Sequence, residues 1–231
     1  MMTHRALKSA RKLTFIHTVA ALEPLFASLA SERLPEWDSA STVDESLLTR
    51  TIEDGCVHHE TFERLAHHVQ VATDAGSSAI IVTCSTLGEA VDTLAARTVT
   101  PLYRIDRGMA EKAVLQASTI GILATLPTTL DPTTRLLERT AKRMGRHCKF
   151  ITRLSSDAFA CLKAGNREHH DELVRKDYEK LSEEVELVVL AQASMARALQ
   201  AGPQPKPYLT SPELGMDHIA ESLRLTRMSG K

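Results

Sequence analysis

The stretch Ala79-Ile80-Ile81-Val82-Thr83-Cys84-Ser85-Thr86-Leu87-Gly88-Glu89 decides the fold. Its first four residues are apolar and rich in β-branched side chains, which suits a strand buried on both faces of a parallel sheet. The strand gives way at Cys84 to a turn that leads into a helix. Upstream, Val57, Phe62, Leu65, Ala66, Val69 and Ala72 recur at helical spacing within 56–75, and Gly76 ends that helix as a residue tolerant of a left-handed cap. Residues 13–17 form another buried-strand pattern, followed by a helical pattern over 22–34. Further strands are predicted at 99–103, 118–123, 149–154, 187–190 and 207–209, with helical patterns between them. Alternation of this kind predicts an α/β architecture with mostly parallel sheets.

An internal repeat sharpens that prediction. A shift of 108 positions lays Leu22-Glu23-Pro24 on Leu130-Asp131-Pro132, and Ile80-Ile81-Val82-Thr83-Cys84 on Val188-Val189-Leu190-Ala191-Gln192. Two matches that share one offset, each at a strand end, predict two similar α/β lobes related by a pseudo-two-fold. The expected division is 1–97 and 98–210, with a C-terminal helix over 211–231 packing back on the first lobe. Ligands of such sheets bind beyond the carboxyl ends of the strands, here in the cleft between lobes, where Cys84 and Gln192 would face each other.

Composition narrows the function. The 231 residues carry 28 Lys+Arg against 29 Asp+Glu, a net charge of −1. No global positive excess exists to meet phosphates, so nucleic acid and anionic membranes are poor partners. Aromatic residues make up only 4%, too few for base-stacking platforms. No apolar run reaches the ~18–20 residues of a membrane span. Cys56, Cys84, Cys148 and Cys161 lack CxxC spacing and read as reduced thiols, and the basic N-terminus does not resemble a signal peptide, so a cytoplasmic enzyme is expected. Neither a Gly-rich dinucleotide fingerprint nor a phosphate-binding loop is present.

The chemistry-bearing residues gather at strand ends. A thiol at Cys84 would meet a helix N-terminus and free backbone N–H groups, both of which favour thiolate. Ser85 and Thr86 add hydroxyls able to hold a carboxylate; the structural alternative is a small buried cysteine that merely ends a strand. Thr125, Thr128 and Thr129 follow the 118–123 strand and can offer hydroxyls and amides to an anion, or simply cap a helix.

In order, Ile16-His17-Thr18, Val82-Thr83-Cys84-Ser85, Ile105-Asp106, Ala124-Thr125-Leu126-Pro127-Thr128-Thr129, His170-Asp171, Leu190-Ala191-Gln192-Ala193-Ser194-Met195 and Ser211-Pro212 resemble the aspartate/glutamate/hydantoin racemase superfamily over nearly the whole chain. The resemblance implies two flavodoxin-like lobes, no cofactor, and cysteines from opposite lobes flanking a substrate α-carbon. Relatives include maleate isomerases and arylmalonate decarboxylases, and dimers are common among them, although no apolar stripe in this sequence compels a homodimer. Cys84 stands where the first cysteine belongs, but Gln192 occupies the place of the second. Glutamine only hydrogen-bonds; it cannot exchange a proton near neutrality.

Histidine is the natural substitute. His17 ends the first strand, and His170 starts a helix in the second half. Their bland alternatives are a satisfied strand-end histidine and a solvated helix face. Since i, i+1 neighbours point apart on a helix, Asp171 is not expected to orient His170. His59, Glu63 and His67 share a helix face, yet three ligands over two turns converge poorly on one ion, so no metal site is expected. Arg107 reads either as a carboxylate contact or as a solvent-side helix residue.

The resulting expectation is a cofactor-independent racemase or isomerase acting α to a carboxylate of a small acidic substrate. Catalytic candidates are Cys84, His17 and His170; substrate-binding candidates are Ser85, Thr86, Thr125, Thr128, Thr129, Gln192 and Ser194. The alternatives are decarboxylation of a malonate-like acid, which needs one acid/base only, a catalytically silent carboxylate binder, and a metal hydrolase built on His59 and His67.

Overall fold

The computed structural model describes residues 11–200 and 202–229. Two four-stranded parallel sheets form its frame. The first contains β1 (Arg11–His17), β2 (Trp37–Val43), β3 (Ala79–Val82) and β4 (Leu102–Arg104), in the order β2-β1-β3-β4. The second contains β5 (Thr119–Ala124), β6 (Lys149–Leu154), β7 (Leu187–Leu190) and β8 (Tyr208–Leu209), in the order β6-β5-β7-β8. The local order is the same in both, so the α/β fold with two similar lobes is what the chain adopts. β3 and β7 start at Ala79 and Leu187, and β1 and β5 at Arg11 and Thr119; both pairs keep the offset of the sequence repeat.

Helices cover both faces of each sheet, because parallel strands need crossovers that return over the sheet. On one face of the first sheet, Leu13 and Phe15 of β1 pack against Phe26 and Leu29 of α1 (Glu23–Arg33). On the other, Ile16, Ile80 and Val82 meet helices α2 (Ser46–Asp54), α3 (His59–Asp74) and α4 (Gly88–Ala95). Gly76, at φ +78°, supplies the left-handed turn that releases the chain from α3 into β3. In the second lobe, α5 (Arg107–Gln116) and α6 (Pro127–Arg143) cover one face of the sheet. The other is covered by α7 (Ser156–Lys163), α8 (Arg167–Ser182) and a 3-10 turn over Ala193–Leu199.

Two features depart from the sequence reading. β2 was not visible in the pattern: Trp-Asp-Ser-Ala-Ser-Thr-Val is an edge strand, mostly exposed beyond Trp37, and lacks the apolar run of a buried strand. The division at 97/98 also falls one strand early. β4 pairs with β3 through Ile80↔Leu102 to Val82↔Arg104, so the first sheet continues to Arg104. The physical reason is the α4 crossover, which brings the chain back to the open edge of β3. The last helix, α9 (Ser211–Ser229), puts Met216, Ile219, Ala220 and Leu223 into the core of the first sheet. It also crosses α5 closely: a Cβ on Gly108 of α5 would sit 2.3 Å from the Leu214 carbonyl oxygen of α9. No helix among the described residues is long and apolar enough to cross a membrane.

Candidate active site

A cavity of ≈ 550 Å³ opens where the carboxyl ends of β3 and β7 face each other. From the first lobe it is lined by Thr18, Thr83, Cys84, Ser85 and Thr86, and from the second by Thr129, Gln192 and Ser194, together with apolar Leu22, Leu48, Leu126 and Phe159. Six of the expected residues therefore share one space: Cys84, Ser85, Thr86, Thr129, Gln192 and Ser194. The lobes touch at its floor through a hydroxyl pair, Thr86 Oγ1 to Thr129 Oγ1, at 2.7 Å.

Cys84 occupies the N-cap position of a single 3-10 turn, Ser85–Leu87, that runs directly into α4. The Thr18 and Thr86 hydroxyls and the backbone N–H groups of Thr86 and Leu87 stand around its thiol, although the thiol caps none of those amides. These groups favour thiolate, as the sequence suggests. Burial is nevertheless the largest influence and pushes the Cys84 thiol above its ordinary pKa, because a charged sulfur loses its water there. The lowered thiol pKa expected from the helix terminus alone is thus not what burial at this position produces.

Gln192 faces this thiol from the other lobe but is itself clamped. Its Oε1 accepts from the Thr125 N–H at 2.7 Å, and its Nε2 donates to Thr125 Oγ1 at 2.8 Å. Thr125 therefore serves Gln192 and does not line the cavity. Thr128 lies elsewhere too, in a neighbouring cavity of ≈ 360 Å³ on the far side of Thr86, beside Cys56 and Pro132.

Neither expected histidine reaches the cavity. Residue alternation along β1 sends His17 to the face of Leu13 and Phe15, where it stacks on the Phe15 ring at 5.6 Å and meets Phe26. Its Nδ1 is paired with Thr83 Oγ1 at 2.9 Å and its Nε2 with Ser41 Oγ at 3.3 Å. Burial lowers its pKa, so the ring is held neutral, one residue behind the cavity wall. His170 is fully buried rather than solvated, and Asp171 does orient it, with Oδ1 2.8 Å from Nδ1. The i, i+1 argument fails at the first turn of α8, where the Asp171 carboxylate turns back to the His170 ring and at the same time reaches the 3-10 turn after β7. There the other Asp171 oxygen, Oδ2, pairs with Arg197 at 2.9 Å. His170 Nε2 is buried without a partner.

Sequence reading missed the cations. Lys163, Arg167 and Arg197 line the second-lobe wall, and no carboxylate side chain among the described residues lines the cavity. One signal was present: no acidic residue lies three or four positions from Lys163, so nothing on its own helix face neutralises it. Arg107, by contrast, pairs with Asp92 at 2.7 Å outside the cavity. His59 and Glu63 sit 3.6 Å apart on an exposed face, and among the described residues no three His, Cys, Asp or Glu groups converge as a ligand set.

The family model described as Asp/Glu/Hydantoin racemase matches residues 15–216. The chain belongs to that family. Curated proteins include no match to it. Among solved structures it is similar to the glutamate racemase isoform RacE1 from Bacillus anthracis, with a TM-score of 0.73 and 14% identity over 94% of this chain and 82% of that one. An aspartate racemase homologue from Pyrococcus horikoshii gives 0.63 and 17%, over 92% and 98%. Allantoin racemase from Klebsiella pneumoniae gives 0.55 and 16%, over 94% and 88%. At these identities the likeness is one of fold, and membership of the racemase family supports an activity of the racemase kind.

Proposed function

We propose that this family member is a cofactor-independent racemase or epimerase acting at the carbon α to a carboxylate of a small acidic substrate, with Cys84 as its one cysteine acid/base. The observation that carries this reading is the setting of that thiol, on the wall of an interlobe cavity and surrounded by two hydroxyls and two amides. A carboxylate seated on Ser85, Thr86 and Thr129 would place its α-carbon over the sulfur. The same hydroxyls and amides then hydrogen-bond the enolate oxygens as charge moves onto them. The cationic wall of Lys163, Arg167 and Arg197 favours an anionic substrate. Arg197 is oriented for this role by Asp171, whose other oxygen is fixed by His170.

A second reading has its own support. Gln192 is locked to Thr125 and offers no proton, so a reaction that needs one proton donor only, decarboxylation of a malonate-like acid, fits the same cavity. Proton NMR in D2O separates the two. Wild type and Cys84→Ala are incubated with acidic amino acids, hydantoins, hydroxy acids and substituted malonates. Loss of an α-proton signal with inversion, in wild type alone, supports the racemase; loss of a carboxyl group supports the decarboxylase. A Cys84→Ala protein as active as wild type would overturn the assignment of the thiol.

A further inference from the structure

Inversion at a carbon α to a carboxylate passes through a planar enolate. A proton returned to the face it left restores the starting enantiomer, so inversion needs a second acid/base on the opposite face. The family place for that group is filled by Gln192, which exchanges no proton and is clamped by Thr125. The two histidines that could stand in are buried outside the cavity. Among the described residues that line it, only Cys84, Lys163, Arg167 and Arg197 carry ionisable groups. A guanidinium does not give up its proton in a protein, which removes both arginines.

We infer that Lys163 is the second acid/base. This rests on the α-carbon reading above and deepens it. Lys163 is the last residue of α7 in the second lobe, whereas Cys84 follows β3 in the first, so the two groups enter the shared cavity from opposite lobes. Its ammonium makes no ion pair or hydrogen bond among the described residues, and so it is free to serve a ligand. Arg197, which Asp171 orients, can hold the substrate anion but gives it no proton.

The steps balance. For one enantiomer, the Cys84 thiolate takes the α-proton; the C–H pair moves into the enolate held by the hydroxyls, and an S–H bond forms. An N–H bond of the Lys163 ammonium then breaks as its proton joins the opposite face of the carbon. The products are a thiol and a neutral amine, which is the state competent for the other enantiomer, where Lys163 takes the proton and Cys84 returns one. Exchange with water resets either group between turnovers.

Exchange of α-protons in D2O, followed by proton NMR for each enantiomer separately, tests the assignment on Lys163→Gln and Lys163→Arg in the full chain. Lys163 is exposed, so both variants should fold as wild type does. Racemisation should fall by about 10²-fold or more in both, the scale of a lost general acid/base. Exchange from the enantiomer that faces Cys84 should persist without inversion, while exchange from the other is lost. Lys163→Gln racemising like wild type would overturn the assignment. So would loss of exchange from both enantiomers alike, which marks a substrate-binding cation, or full rescue by Lys163→Arg, which keeps the charge but gives no proton. If wild type exchanges no α-proton from any acid offered, the α-carbon reading itself falls; the first three outcomes leave it standing.

Discussion

Gly88 sets two physical effects against each other. It opens α4 in an ordinary right-handed conformation, φ −56° and ψ −38°, so an alanine there meets no backbone strain. Helix propensity alone predicts that Gly88→Ala stabilises the protein by about 1 kcal/mol. Packing predicts the reverse. A Cβ at this position would lie 2.1 Å from Arg104 Nη2 and 2.3 Å from Cζ. A flexible side chain could give way, but Arg104 is fixed. Its Nε and Nη2 donate to both oxygens of the fully buried Asp106, at 2.6 and 2.9 Å, and its Nη1 to Asp92 at 2.6 Å. Displacing the guanidinium leaves Asp106 as a buried charge with a broken partner. Loss of one partner of a buried pair costs about 3–5 kcal/mol. After the propensity gain of about 1 kcal/mol, a net loss of about 2–4 kcal/mol follows, which for a chain of this size lowers Tm by about 4–16 °C. Thermal denaturation followed by circular dichroism measures it. The control is Gly76→Ala, where nothing lies within 4 Å but φ is +78°, so only the left-handed cost of about 1–2 kcal/mol applies. A Gly88→Ala protein that melts at or above wild type would refute the argument and show that the Arg104 pair has slack.

Other expectations follow from the same geometry. Because burial raises the Cys84 thiol, kcat/KM should climb as pH rises from neutrality through the raised thiol pKa; a flat profile from pH 6 to 9 would contradict a thiolate base. Gln192→Ala removes both hydrogen bonds to Thr125 and should cost about 1–3 kcal/mol, whereas Gln192→Glu should be tolerated, since the Thr125 hydroxyl can turn to donate; equal melting temperatures for the two variants would sink this. Glu89 of α4 joins the lobes through Arg135 and Arg139 of α6, at 2.8 Å each, and these contacts hold its carboxyl down to about 2 from 4.5. A depressed folded-state pKa means the contribution is complete above pH 4.5 and is lost as pH falls towards 2. At 40% side-chain exposure it amounts to at most about 1 kcal/mol. The difference in Tm between wild type and Glu89→Gln should therefore shrink between pH 5 and 3, and a constant difference would count against the clamp.

What the sequence disclosed and what it hid divide along one physical line. Strands buried on both faces, β3 and β7, carry unbroken apolar runs, and their bounds match the pattern residue for residue. β2 has a neighbour on one side only and fills its exposed positions with Asp, Ser and Thr, so no hydrophobic pattern marks it. The site divides in the same way. Cys84, Ser85 and Thr86 follow a strand end directly, and the chain direction there fixes where they point. His17 differs from Thr18 by one step of a strand, and that step decides between the aromatic face of α1 and the cavity. The sequence shows the residue type but not the parity at which the strand ends.

The cations needed the fold for a different reason. Lys163, Arg167 and Arg197 belong to three separate elements, and nothing local to any of them announces a shared wall. Their meeting is a property of how α7, α8 and the 3-10 turn after β7 pack on the second sheet. Gln192 is built into the lobe through Thr125, as a structural residue would be, while the wall beside it carries a cation with no partner. Lys163 is exposed at the cavity wall, so water solvates its ammonium and leaves it available to a ligand. The substitution at the strand end and the free lysine are therefore read together: the acid/base function has moved off the strand end to Lys163 at the end of α7.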